Sequence, residues 1–146
     1  MTWREDGELH YGDEQADLRV EITGYSRAHG YPASHFADAT CACGARVFHL
    51  ALDEDEGVAV RMCTRCAATH PIGDSAGFLD DAHLEACACP CGAEAFEITV
   101  GVALKRESED VRRVYLGARC AACGCVGVYG DWENEDSGYR ALLARV

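Results

Sequence analysis

HLEACACPCGAEAFEITV, residues 83–100, carries three cysteines at alternate positions, Cys87, Cys89 and Cys91, then Gly92 and an alternating run. Four-ligand metal sites and pairwise disulfides both use cysteines in even numbers, so the triplet has to be divided. HFADATCACGARVFHLAL (35–52), laid beneath it with a shift of 48, divides it. His35 meets His83, Cys41 meets Cys89, Cys43 meets Cys91, Gly44 meets Gly92 and Phe48 meets Phe96. After nine inserted residues in the second copy the shift becomes 57. Cys63 then meets Cys120, Cys66 meets Cys123, and Gly73-Asp74 meets Gly130-Asp131. So many Cys, Gly and aromatic matches in two consistent registers mark an internal duplication. Cys87 falls opposite Ala39 and Cys125 opposite Ala68, so both are private to the second copy.

Each copy reads alike locally. CxCG is a tight turn whose glycine supplies a positive-φ position. Strict alternation follows, with Phe48, Leu50 and Leu52 on one face and Val47 and His49 on the other; Phe96, Ile98 and Val100 repeat it. Period two over this length predicts a strand. DEDEG (53–57) and KRESED (105–110) read as polar hairpin loops, GVAVRM and VRRVYLGAR as returning strands that lead into CxxC. A short third strand then runs to the Gly-Asp turn.

The pattern CACG (41–44) with CTRC (63–66), and CPCG (89–92) with CAAC (120–123) before Gly124, resembles the zinc ribbon of the rubredoxin-like fold group. The resemblance covers residues 41–75 and 89–131. Ribbons usually carry CxxC at both turns, whereas the first turn here is CxC in each copy. The resemblance implies a mainly β chain of two tandem four-cysteine zinc ribbons. The ligands would be Cys41, Cys43, Cys63 and Cys66 in the first, and Cys89, Cys91, Cys120 and Cys123 in the second. Thiolate sulfur suits Zn2+, and four of them close its coordination sphere. Two Zn2+ per chain would supply folding free energy on the order of 10 kcal/mol each, which so small a core cannot. Iron uses the same four sulfurs and stays open as an occupant.

The remaining chemistry-bearing residues have quieter readings. Cys87 and Cys125 read first as small buried hydrophobes; the alternative is a redox-sensitive thiol pair beside the second metal. His35 and His83 recur six residues before each CxC and read as structural rings hydrogen-bonded to backbone. His70-Pro71, at a strand end, reads as structural too. Residues 18–23, LRVEIT, alternate and predict an N-terminal strand added to the edge of one ribbon sheet. DSGYRALLARV predicts a short C-terminal helix capped by Asp136 or Ser137, burying Leu142, Leu143 and Val146. The expected organisation is an N-terminal strand and loop over 1–34, one ribbon over 35–82, and a second with the helix over 83–146. Each ribbon is expected to be followed by an apolar cover, Phe78 and Leu79 for the first and the C-terminal helix for the second, so that the two pack as one body.

Charge bounds the partners. The formal net charge is −12, and two four-thiolate zinc sites would take it to about −16. Nucleic-acid binding requires Lys and Arg to replace phosphate counterions, so no nucleic acid is expected. The acidic runs Asp53–Glu56 and Glu133–Asp136 read as solvated loops or as a complement to a basic partner protein. No secretory signal or membrane span is visible, so a cytoplasmic chain with reduced thiols is expected. Twelve of the thirteen basic residues are Arg, with Lys105 the one Lys, a composition that points to GC-rich coding and a bacterial source. No catalytic set is present, and a zinc site closed by four thiolates has no water to activate. The expectation is therefore a non-enzymatic adaptor, with an immunity-type protein as a special case. A thiol redox or metal-responsive switch is the alternative, and nucleic-acid binding trails.

Overall fold

The computed structural model describes residues 2–134 and 138–146. The N-terminal part contains β1 (Arg4–Asp6), β2 (Leu9–Tyr11) and α1 (Asp17–Ala28). The first repeat supplies β3 (His35–Asp38), β4 (Phe48–Asp53), β5 (Val58–Cys63) and β6 (Thr69–Pro71), then a 3-10 segment, Ser75–Asp81. The second supplies β7 (Glu85–Ala86), β8 (Phe96–Leu104), β9 (Val111–Cys120) and β10 (Cys125–Glu133), and the chain continues into α2 (Tyr139–Leu143). All ten strands join one antiparallel sheet in the order β1-β2-β10-β9-β8-β4-β5-β6, with β3 also on β8 and β7 also on β4. The fold is mainly β, with strands at the N-terminus and a short helix at the C-terminus, as the sequence indicates.

The two repeats meet through equivalent residues. Phe48 lies opposite Phe96 in the antiparallel β4–β8 contact, and pairing a residue with its own counterpart puts a local two-fold axis between them. The flanking strands obey it. β3, which leads the first repeat, pairs with β8 of the second, Asp38 opposite Thr99 and Ala37 opposite Val100. β7, which leads the second, pairs with β4 of the first, Ala86 opposite Ala51 and Glu85 opposite Leu52. The next amides match too: Ala39 N donates to Ile98 O at 2.9 Å and Cys87 N to Leu50 O at 2.8 Å. Each repeat thus completes the sheet of the other, and the axis buries both phenylalanines fully.

The nine-residue insertion lengthens the β8–β9 hairpin, and α1 packs there. A Cβ at Gly101 would lie 2.8 Å from Ile22 Cγ2, and one at Gly117 2.9 Å from Ile22 Cδ1. The two glycines, diagonal to each other on neighbouring strands, form a notch that receives a fully buried isoleucine. Ala103 and Tyr115 join Ile22 in a small cluster on this face. The alternate residues Val100, Val102, Val114 and Leu116 enter the main core with Phe48 and Phe96.

Residues 18–23 are therefore helix, not the edge strand the alternation suggests. Leu18, Val20 and Ile22 fit period two, but Leu18, Ile22 and Ser26 fit an i, i+4 spacing equally well and all are fully buried. Val20 is left 50% exposed. The strand positions at the N-terminus are taken instead by β1 and β2, with Tyr11 opposite Cys125 on β10.

The cover expected over the first repeat also differs. Phe78 in the 3-10 segment is 51% exposed, so that segment covers nothing with its ring. The C-terminal residues do the covering. Leu142 sits 3.3 Å from where a Gly73 Cβ would be. Arg61 Nε and His70 Nε2 donate to the carbonyls of Val146 and Arg145, at 2.9 and 2.6 Å. Leu142 and Val146 are buried as expected and Leu143 half-buried. The caps expected at Asp136 or Ser137 lie outside the described residues.

The notch predicts opposite signs for two glycine substitutions. Gly101→Ala should cost about 1–3 kcal/mol, because a methyl is forced into a filled core. Gly24→Ala, in α1 with open space around its Cβ position, should gain about 0.5–1 kcal/mol. Denaturant unfolding of both variants checks the pair.

Candidate metal centres

The CxCG turns are built identically. Gly44 N donates to Cys41 O and Gly92 N to Cys89 O, both at 2.8 Å, with Gly44 at φ 92° and Gly92 at φ 95°. Cys41 N donates to Ala45 O and Cys89 N to Ala93 O, at 2.9 and 2.8 Å. The CxxC turns match as well: Ala67 N donates to Cys63 O at 3.0 Å and Gly124 N to Cys120 O at 2.9 Å. Both residues are left-handed, Ala67 at φ 62° and Gly124 at φ 82°. Alanine pays about 1–2 kcal/mol for that conformation and glycine does not.

Strand register brings the turns together. Phe48 pairs with Cys63 and Phe96 with Cys120, so the turn before each outgoing strand lies beside the turn after its return. Thr64 N donates to Val47 O at 3.2 Å and Ala121 N to Ala95 O at 3.0 Å, tying the turns across. The result is two groups of four cysteines, Cys41, Cys43, Cys63 and Cys66, and Cys89, Cys91, Cys120 and Cys123. Within each group all sulfurs lie within 4.8 Å of one another. The Cys41–Cys66, Cys43–Cys63 and Cys89–Cys123 sulfurs are 3.6 Å apart and the Cys91–Cys120 sulfurs 3.7 Å. Four thiolates around a tetrahedral ion at about 2.3 Å have sulfur–sulfur edges of about 3.8 Å. The CxC spacing therefore does not stop both sulfurs from facing one centre, and each group can hold a metal ion.

Backbone amides prepare some of these thiols as anions. Arg65 N and Cys66 N donate to Cys63 Sγ at 3.3 and 3.5 Å. The Cys66 amide is the largest influence drawing Cys63 down to about 6. Cys120 is pulled to about 7: burial opposes ionisation there, but the amides of Cys123 and Ala122 outweigh it. Burial pushes Cys89 and Cys123 upward instead. The second group thus mixes a thiol that ionises readily with thiols that need a cation at the centre to do so.

The surroundings of the two groups differ. Arg61 is buried beside the first, its guanidinium 4.5 Å from the Phe48 ring centre. Burial lowers its pKa, while Cys41 and Cys63 raise it. Periodicity gave no sign of this buried cation, since it sits at an inward position of β5 where the second repeat has Ala118. Beside the second group, Leu9, Tyr11, Pro90 and Cys125 line a cavity of about 240 Å3 with Cys89, Cys91 and Cys123.

Cys87 and Cys125 fall outside both groups of four. Cys125 is buried and its amide donates to Cys123 Sγ at 3.4 Å. Cys87 is half-buried against the core, and burial pushes its thiol up to about 11. His35 stacks on Tyr139 at 4.1 Å and its Nδ1 lies 2.9 Å from Ser34 Oγ. His83 donates its amide to Asp53 Oδ2 at 2.9 Å. Neither histidine belongs to the sulfur groups.

Compared with known protein families, curated proteins and solved structures, the chain matches none. What the structure does define is a sheet-rich chain with two four-cysteine groups that fit tandem zinc-ribbon-like sites. Among the described residues, no helix is long and apolar enough to cross a membrane.

Serine at any of the eight grouped cysteines should remove one metal ion per chain, because its hydroxyl does not ionise at pH 7. Serine at Cys87 or Cys125 should leave both bound, and elemental analysis of purified variants reads this directly. The αL positions make a second test. Gly124→Ala should lose at least about 1–2 kcal/mol, since its Cβ would also lie 2.9 Å from Gly12 O, whereas Ala67→Gly should not lose stability to that strain.

Proposed function

We propose that this chain is a non-enzymatic zinc protein whose acidic surface docks a partner protein bearing a basic patch. The observation that carries the reading is the pair of four-sulfur groups. Two tetrahedral ions at these positions would complete their coordination with protein sulfur, leaving no open position at which water or substrate could react. The metals then act as structural cross-links, and what is left to do the work is the surface. Zinc is favoured over iron as the commoner occupant of such ribbon-type thiolate sites. The reciprocal pairing of β3 and β7 supports an origin of the two repeats by duplication.

The surface is acidic where the repeats meet. Asp53, Glu54, Asp55, Glu56 and Glu85 line a cavity of about 500 Å3 together with His83. Asp53 is fixed there by three backbone amides, of His83, Asp55 and Glu56. The His83 amide is the largest influence holding its carboxyl below the usual range. With a net charge of −12, such a face attracts basic protein surfaces and repels phosphate backbones. An immunity-type protein that neutralises a basic toxin is one form this role could take. The raised thiol of Cys87 and the burial of Cys125 make both poor thiolate nucleophiles, which weighs against the thiol-switch alternative.

Purified protein should contain two Zn2+ per chain, and a strong chelator should unfold it. In a native-cell pull-down, one basic protein should be recovered at a fixed ratio and released by raised salt. Tight duplex DNA or RNA binding at physiological salt would overturn the electrostatic part of the reading; an intact fold after metal removal would overturn the structural role.

A further inference from the structure

Between the N-terminal hairpin and α1 lies an open cavity of about 710 Å3 whose lining includes no cysteine. Sites for small molecules run to about 300–1,000 Å3. On the helix side the lining is an apolar stripe: Val20, Gly24 and Ala28 follow one another at a spacing of four and are all exposed. Gly24 stands in the middle of α1, where glycine is less favourable than alanine by about 1 kcal/mol. No heavy atom lies within 4 Å of where its Cβ would be. Packing within the chain therefore does not call for a glycine there, and the missing side chain deepens the cavity.

The hairpin side is organised by a buried carboxylate. Glu21, 9% exposed, accepts on one oxygen from Trp3 Nε1 at 2.9 Å and from His10 Nδ1 at 2.7 Å. A carboxylate only accepts, so Nδ1 carries the ring hydrogen and Nε2 is the acceptor of the neutral imidazole. That Nε2 lies 3.8 Å from Glu5 Oε1, too far for a hydrogen bond but close enough for one donor group to reach both. Both side chains are open to solvent, His10 at 33% and Glu5 at 63% exposure. The Trp3 ring, pinned by Glu21 and set edge-on to His10 at 5.2 Å, adds an apolar wall beside them.

The helix side carries the opposite charge. Arg19 is engaged, 3.7 Å from Asp38 and over the Phe36 ring. Arg27 is exposed and has no ion-pair partner among the described residues. It follows Glu21 by six residues on α1, about 9 Å along the helix axis. The cavity thus offers a carboxylate with an imidazole acceptor at one end, a guanidinium at the other, and an apolar strip between. We propose that it binds an ω-amino carboxylate of lysine length, either free or as the C-terminal lysine of a polypeptide. The ammonium donates to Glu5 and His10 Nε2, the aliphatic chain lies along Trp3 and Gly24, and the carboxylate pairs with Arg27. A ligand with one charge would leave one end unmatched. Neither the metal centres nor the acidic loop at 53–56 takes part, so the site stands independently of the docking role.

The test is an NMR titration of the metal-loaded, 15N-labelled full chain with 6-aminohexanoate. The chain has two tryptophans, and the Trp3 indole signal is identified as the one missing from Trp3→Phe. 6-Aminohexanoate should move the Trp3 indole and Gly24 amide signals together and saturably while the Trp132 indole stays still. Hexylamine, lacking the carboxylate, hexanoate, lacking the ammonium, and glycine, with its charges too close together, should each bind at least about tenfold more weakly, corresponding to about 1.4 kcal/mol. Glu5→Gln and Arg27→Gln alter exposed side chains and should each weaken 6-aminohexanoate by about tenfold with the fold intact. Gly24→Leu fills the cavity while favouring the helix, so it should abolish the shifts without lowering the denaturation midpoint. Tighter binding of an N-acetylated peptide ending in lysine than of 6-aminohexanoate assigns the site to a polypeptide terminus, and equal or weaker binding to the free amino acid. The proposal fails if hexylamine or hexanoate binds as tightly as 6-aminohexanoate, or if Arg27→Gln or Gly24→Leu binds it unchanged. It fails equally if the Trp3 indole is unmoved by 6-aminohexanoate up to its solubility limit.

Discussion

Four sulfurs can converge only if two turns far apart in sequence are held side by side, and the register of one hairpin does this in each repeat. Phe48 opposite Cys63 and Phe96 opposite Cys120 set the CxCG turn against the CxxC turn. A slip of one residue would reverse every side chain on the strand, sending the phenylalanine to solvent and a ligand out of the cluster. The register therefore sets the geometry of the sulfur group. The same two phenylalanines face one another across the local two-fold axis, so the feature that positions each cluster also joins the repeats.

This shared junction explains the exchange of leading strands. A β4–β5–β6 unit on its own presents β4 as an open edge, and unpaired edges invite association. Here β7 and β8 both pair along β4, while β3 and β4 both pair along β8. The leader of each repeat supplies the amide that the other repeat's strand needs, Ala39 to Ile98 and Cys87 to Leu50. Cys87 thus occupies a place that Ala39 fills in the first repeat, where a small side chain on a paired strand is all that packing requires. Its burial and raised thiol agree with that reading of a private cysteine.

The local features were legible in the sequence because their signals are contiguous: a turn glycine, two cysteines and an alternating run lie within a dozen residues. The hairpins follow from the repeat, and the grouping of Cys41, Cys43, Cys63 and Cys66, and of Cys89, Cys91, Cys120 and Cys123, from the resemblance of each copy to a zinc ribbon. What was hidden depends on partners distant in the chain. LRVEIT satisfies both strand and helix periods over six residues, and the choice falls to Gly101 and Gly117, about eighty and a hundred residues onward, which open the notch for Ile22. Likewise no periodicity tells that Arg145 and Val146 return to Arg61, His70 and Gly73, or that Trp132 crosses to Gly57.

Differences between the repeats show where equivalence was not needed. Ala67 stands in place of a glycine at a left-handed position in the first cluster, a cost of about 1–2 kcal/mol that is small against the order of 10 kcal/mol a structural metal bound there would supply. Gly124 has no such freedom, because β2 lies against it: Gly12 N donates to Gly124 O at 2.9 Å, and Gly12 O occupies the space of a side chain. The N-terminal hairpin joins the sheet beside the second cluster, with β2 on β10. Arg61 marks the reverse asymmetry. A buried guanidinium needs anionic or carbonyl partners, and the first cluster with the carbonyls of Val146 and Thr40 provides them; the equivalent position of the second repeat is a fully buried alanine, Ala118. The repeats share the frame that holds sulfur around a centre and diverge where each meets the rest of the chain.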